Sequence, residues 1–170
     1  MDVKKGMTAE NCPFSLRPCH RDDLPALAGI EASCFPGEPV LPLITFVQYF
    51  ELFAPFFAIA ENEEKRIIAF GIAAPVADDP KTAWWLDCCV LPEYQSKGIA
   101  KRIGEWLIQK LRKQGCEFLK ATVSPKNIPS QKLLTRLGFK TTDRIPDYFG
   151  PGEDRLVVEL GVKGVKMGEV

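Results

Sequence analysis

The sequence predicts a mixed α/β (α+β) fold, with a mostly antiparallel central sheet flanked by helices in a single domain. Three observations predict it. Apolar runs of strand length alternate with segments whose apolar residues recur at helical spacing. Two of the runs, "FFAIAE" and "RIIAFGIAAPV", are separated by the charged turn "NEEK", which reads as a hairpin. A third run, "TAWWLDCCVL", is followed by a long amphipathic helix and a further strand-like segment, the pattern of a parallel crossover.

The elements follow in order. "FSLRPC" reads as a first strand. "RDDLPALAGIEASCF" begins with acidic residues and continues with apolar residues at helical spacing, so it reads as a helix that stops before Pro36. "LPLITFVQYFELFA" is a second helix. The hairpin and the buried strand "TAWWLDCCVL" come next. From Gly98 to Lys113, residues Ile99, Ile103, Trp106, Leu107 and Leu111 fall on one helical face, with Lys101, Arg102, Lys110 and Lys113 largely off it. Gly115 suits the cap that ends this helix. "CEFLKATV" is a strand, "NIPSQKLLTRLGF" a helix opened near Asn127 and closed by Gly138, and "DRLVVELG" a final strand, with "FKTTDR" adding a short one before it. Residues 1–12 are polar and read as a loose N-terminal segment, 13–162 as the domain, and 163–170 as a C-terminal tail.

Composition narrows the function. Lys plus Arg is 22 and Asp plus Glu is 22, so the formal net charge is zero and a broad electrostatic grip on nucleic acid is not expected. The six cysteines include no C-x-x-C pair, and the chain has one histidine, His20, read as a surface residue before the first helix. No metal site is expected, and the cysteines read as buried, reduced thiols of a cytoplasmic protein. The N-terminus has lysines but no apolar core of a secretory signal, and no apolar run is long enough to cross a bilayer, so no membrane partner is expected.

The most informative stretch is "VLPEYQSKGIAKRI", Val90 to Ile103. A strand, a turn and a helix N-terminus make an anion site, because the first N–H groups of a helix have no internal partner and the dipole adds positive character. Gly98 permits a tight turn and close approach of a ligand. Gln95, Ser96 and Lys97 offer donors, and Lys101 and Arg102 add charge. A pyrophosphate fits this description. An ordinary strand-to-helix turn can carry a glycine and lysines too, so the turn alone leaves both readings open. No P-loop or dinucleotide fingerprint occurs.

The pattern V-x-P-x-x-Q-x-x-G-x-A, followed after one helix and one strand by Asn127 and "LLTRLGF", resembles the acetyl-CoA signature of the GNAT N-acetyltransferases. The resemblance spans roughly Phe14 to Leu160 and is sharpest from Leu86 to Phe139. It implies the GNAT fold, with a sheet that splays where the thioester enters. It implies acetyl-CoA as cosubstrate and a primary amine, on a protein or peptide N-terminus or a small metabolite, as acceptor. The backbone from Gln95 through Ser96, Lys97, Gly98, Ile99 and Ala100 to Lys101 would hold the pyrophosphate. The strand ending at Cys88, Cys89 and Val90 would pair with the pantetheine arm, and Asn127 would sit beside it. An N–H near Cys89 or Val90 would face the carbonyl oxygen.

"IEASCFP", "PEYQSKGIA" and "DYFGPGEDRLVVEL" look most like the ribosomal-protein alanine N-acetyltransferases. That group usually has a glutamate or histidine where Thr122 stands and a tyrosine acid where Leu134 stands. Neither residue here can do that chemistry. "ATVSPKN" also looks like the diaminobutyrate acetyltransferases, and a GNAT scaffold that only senses acyl-CoA is the rival from another class. Asp87, on the strand before Val90, reads as a base acting through water or as a carboxylate satisfied by a neighbour. Tyr148 reads as acid, acceptor contact or loop packing. Glu31 reads as an acceptor-ammonium contact or a solvated position, and Phe35 and Thr122 as acceptor surroundings. Trp84 and Trp85 read as core or pocket wall. The sequence leaves the oligomeric state, a homodimer included, open.

Overall fold

The computed structural model describes residues 13–36 and 40–164. The segment read as loose over 1–12 and the end of the tail, from 165, lie outside the described residues. Eleven regular elements occur in the predicted order: β1 (Phe14–Pro18), α1 (Leu24–Cys34), α2 (Leu43–Phe53), β2 (Phe57–Asn62), β3 (Ile67–Pro75), β4 (Thr82–Val90), α3 (Ile99–Lys113), β5 (Phe118–Val123), α4 (Ile128–Leu137), β6 (Lys140–Ile145) and β7 (Arg155–Gly161). The seven strands form one sheet in the order β1-β2-β3-β4-β5-β7-β6. Every neighbouring pair is antiparallel except β4–β5, the strands joined by the α3 crossover.

Local sequence explains the joints. Lys65, in a left-handed conformation, donates its N–H to Asn62 O at 3.0 Å and closes the β2–β3 hairpin. After α3, Gly115 takes φ +95° while its N–H bonds Arg112 O and that of Cys116 bonds Leu111 O, a glycine-terminated helix end. Asn127 caps α4 by accepting the Ser130 N–H at 3.1 Å.

The sheet buries both faces. On one, Ile99, Ile103, Leu107, Ile108 and Leu111 of α3 are almost fully buried. On the other lie Leu24, Leu27 and Ile30 of α1 and Phe46 of α2, whose ring meets Phe70 of β3 edge-on at 5.5 Å. Two glycines let α3 sit close. A Cβ on Gly71 of β3 would overlap Ile103 Cγ2, and one on Gly104 of α3 would lie 2.7 Å from both Leu137 Cδ1 and the Trp85 ring. A valine at Gly104 is therefore expected to cost about 1–3 kcal/mol by overpacking. A thermal melt reads this directly, and an unmoved midpoint would mean that α3 has room to shift.

Candidate active site

The site is built on a defect in β4. Ile72 of β3 pairs with Asp87, and the next residue, Ala73, pairs with Trp85, so Leu86 is an extra residue in the ladder. Paired residues share a face, and Ile72 and Ala73 point to opposite faces. Asp87 therefore points away from the Trp85 side, although the two are only two positions apart. Without the bulge Asp87 would lie under α3 with Trp85. With it, Asp87 turns to the α1–α2 side. Trp85 Nε1 donates to Asp87 O at 2.9 Å, spanning the bulge, and Leu86 is exposed.

The same point opens the sheet. β4 pairs with β5 from Thr82–Phe118 to Trp85–Ala121 and no further. Beyond it β5 continues through Thr122 and Val123 with β7 as its only partner. Leu91 N–H donates to Ile68 O at 2.9 Å, which makes Leu91–Ile68 and, by the period of the ladder, Cys89–Phe70 the hydrogen-bonded pairs. The N–H and C=O groups of Cys88 and Val90 thus point into the opening. Of the two residues expected to carry the carbonyl-facing donor, Val90 points its amide into the opening, as does Cys88, while the Cys89 amide faces β3.

The opening leads to the α3 turn. Ser96 and Gly98 both take positive φ, +61° and +79°, and the first helical bond is Arg102 N–H to Gly98 O at 3.1 Å. Among the described residues the N–H groups from Ser96 to Lys101 take no acceptor, so six donors cluster at the positive end of α3. Gln95 Nε2 reaches back to Val90 O at 3.0 Å, tying the turn to the strand. The expected extra charge is partly neutralised. Lys101 and Arg102 lie 3.2 and 3.8 Å from Glu105, and the Lys97 ammonium sits over the Tyr94 ring at 5.1 Å.

Glu31 corrects the sequence reading most clearly. It is not on a solvated face: it is 5% exposed, on the side of α1 that meets β4. A carboxylate oxygen of Glu31, one of Asp87 and Cys89 Sγ lie within 4.8 Å of one another. The Cys89 thiol donates to Glu31 Oε2 at 3.0 Å, Leu41 N–H lies 3.4 Å from Glu31 Oε1, and Asp87 Oδ2 is buried without a donor. Burial, and then the Glu31 carboxylate, push the Asp87 carboxyl well above the ordinary aspartate range. Cys34, which sequence reasoning did not select, completes the cluster from the end of α1. Its thiol donates to Val90 O at 3.2 Å, and its contact with Cys89 lowers its own pKa while raising that of Cys89. Burial raises Cys88 as well. Cys88 and Cys89 are thus protonated thiols, unsuited to nucleophilic attack.

The remaining candidates come from other parts of the fold. Thr122 is half-buried on β5, one residue past the last β4–β5 pair. Phe35 is the half-buried residue that ends α1. Asn127 begins α4, its side-chain oxygen committed to the cap. Tyr148 does not join the cluster: in the β6–β7 connection it packs edge-on against Phe149, which in turn carries the Arg155 guanidinium at 4.8 Å. Leu134 is buried core, as its apolar side chain requires.

The profile of the Acetyltransferase (GNAT) family matches residues 24–139. The chain belongs to the GNAT acetyltransferase family. Its matched region runs from α1 to the second residue after α4 and contains the bulge, the opening and the α3 turn. This GNAT acetyltransferase is 28% identical over 111 residues to the [Ribosomal protein bS18]-alanine N-acetyltransferase of Haemophilus ducreyi, covering 63% of the chain and 74% of that protein. Its fold matches the ribosomal-protein-S18-alanine N-acetyltransferase of Escherichia coli with a TM-score of 0.75 and 25% identity, over 92% of this chain and 97% of the other. It matches yncA of Salmonella typhimurium, solved with its cofactor acetyl-CoA, with a TM-score of 0.75 and 18% identity, over 94% and 99%. Among the described residues no helix is long and apolar enough to cross a membrane.

Proposed function

We propose that this acetyltransferase passes the acetyl group of acetyl-CoA directly to a primary amine within a ternary complex, and that the acceptor is an α-amine at a protein or peptide N-terminus. The observation that carries the reading is the opening between β4 and β5, lined by the Cys88 and Val90 backbone and ending at the six free N–H groups of the α3 turn. It is a slot with peptide-like hydrogen-bonding groups along its wall and an anion cradle at its end. A pantetheine arm carries amides and ends in a pyrophosphate, so it matches both parts. The fold neighbour solved with acetyl-CoA supports the choice of coenzyme, and the two S18-alanine acetyltransferases support the choice of acceptor.

Each residue then has a task. The N–H groups of Ser96 to Lys101 hold the pyrophosphate, with Gln95 fixing the turn and Asn127 flanking the arm. The Val90 or Cys88 N–H stabilises the negative charge that grows on the thioester oxygen. The amine must arrive neutral to attack the thioester carbon. As the C–N bond forms and the C–S bond breaks, Asp87 takes the surplus amine proton through water. Fixing amine against thioester supplies much of the rate. Tyr148, Phe35 and Thr122 border the acceptor. Such chemistry belongs where acetyl-CoA and reduced thiols are, in the cytoplasm.

The test is release of free coenzyme thiol against a panel of acceptors: an alanine-starting peptide, peptides with other first residues, diaminobutyrate and spermidine. Coenzyme binding is followed in parallel by calorimetry. Turnover with the alanine peptide alone is expected. Turnover only with a small diamine would move the acceptor to a metabolite. Tight acetyl-CoA binding with no turnover would make the protein a sensor.

A further inference from the structure

We infer that Glu31 is a positioning residue for Asp87: the two carboxyls, one from α1 and one from the β4 bulge, share a single proton and act as one acid–base unit. The inference rests on the reading of Asp87 as base, and goes beyond it by assigning α1 to the chemistry. Three observations place the pair. The carboxylate oxygens lie within 4.8 Å, Asp87 Oδ2 is buried and faces no donor, and Glu31 is 5% exposed. None of the ion pairs of the described residues includes either acid. Two buried carboxylates this close cannot both be charged without a cation, so one proton stays between them.

Among the described residues, the titratable side chains that act on Asp87 are Glu31 from α1 and Cys89 from its own strand, with the Cys88 backbone beside them; Cys34 of α1 lies against Cys89. From β3 the opposing residues are Phe70, Gly71 and Ile72, none of them ionisable. Cys89 donates its thiol hydrogen to Glu31 Oε2 and leans on Asp87 Oδ1 at 3.7 Å, so it holds the two acids in register without changing their charge. In its one-proton form the pair is a monoanion. When the attacking amine releases a proton, the pair accepts it and becomes neutral; when the proton leaves to water, the monoanion returns. No other reactant is needed.

The test separates this inference from the function it rests on. The side-chain carboxyl carbons of aspartate and glutamate are followed by carbon-13 NMR across pH in the intact protein, while kcat/KM is measured over the same range. In the unmodified protein, the Asp87 carboxyl is expected to titrate well above the usual carboxylate range. In Glu31→Gln, Asp87 is expected to titrate alone, lower by about one pH unit or more. The acid limb of kcat/KM should move down with it. If the Asp87 midpoint stays where it was in Glu31→Gln, the pair does not exist. If the midpoint falls and the acid limb stays, the pair stands and Asp87 is not the base. Should Glu31→Gln fail to fold, the unmodified protein still decides: an Asp87 step in the usual carboxylate range overturns the inference.

Discussion

Replacing Gly98 with glutamate is expected to weaken coenzyme binding by about 100-fold or more, the equivalent of roughly 2.7 kcal/mol. Two effects combine. Gly98 has φ +79°, and nothing lies within 4 Å of where its Cβ would be. The new Cβ therefore meets no protein atom; the side chain starts from the turn whose N–H groups form the proposed anion cradle, bringing a negative charge where the pyrophosphate is proposed to bind. The left-handed backbone adds about 1 kcal/mol of strain. Gly98→Ala isolates the strain: it should lower the melting temperature slightly and leave most of the affinity. Calorimetry with coenzyme A reads both variants. Unchanged affinity in Gly98→Glu would mean that the phosphates bind elsewhere.

Asp87→Asn is expected to lower kcat by about 100-fold or more while coenzyme affinity is kept, the range typical of a lost general base. The same change should stabilise the protein at neutral pH. The Asp87 carboxyl ionises at higher pH in the folded chain than in the unfolded one. Its favourable contribution is therefore complete below the ordinary aspartate range and is lost as pH rises through the folded value. At neutral pH the native state carries the cost of a buried acid pair, which asparagine relieves. Each kcal/mol relieved raises the midpoint by about 2–4 °C, and the gain should vanish in acid. A variant that is as active as the unmodified protein at every pH would remove Asp87 as base. One that is slower but melts lower would show that the carboxyl is a structural contact.

The elements were legible because each is locally consistent. The apolar residues of α3 repeat along one face, its glycines stand at both ends, and the β2–β3 hairpin carries its charged turn in the sequence. The α3 turn was legible for the same reason, since its donors are consecutive residues. The acid centre was not. Asp87 stands at an even spacing from Trp85, which on a regular strand places the two on one face; only pairing with β3 reveals the extra residue at Leu86. Glu31 lies next to Ala32 and Ser33, in a stretch that gives no hint of burial, and its environment comes from β4, more than fifty residues away. Cys34 shows no local signal, because its partners are a distant carbonyl and a distant thiol. The opening in the sheet depends on where β5 stops following β4, and no single strand encodes that.

The strand order has a consequence for how the chain is made. β7, the last strand, lies between β5 and β6, and β6 has no other neighbour in the sheet. Arg112 of α3 also donates to Val162 O, just past the end of β7, at 2.9 Å from Nε. While the chain is emerging from the ribosome, β1 to β4 can assemble as each is completed, but β5 keeps a bare edge and β6 stays unpaired until residue 161 is out. The C-terminal side of the slot thus becomes permanent only when synthesis is nearly finished. A polypeptide stopped before Arg155 would lack two strands, not one.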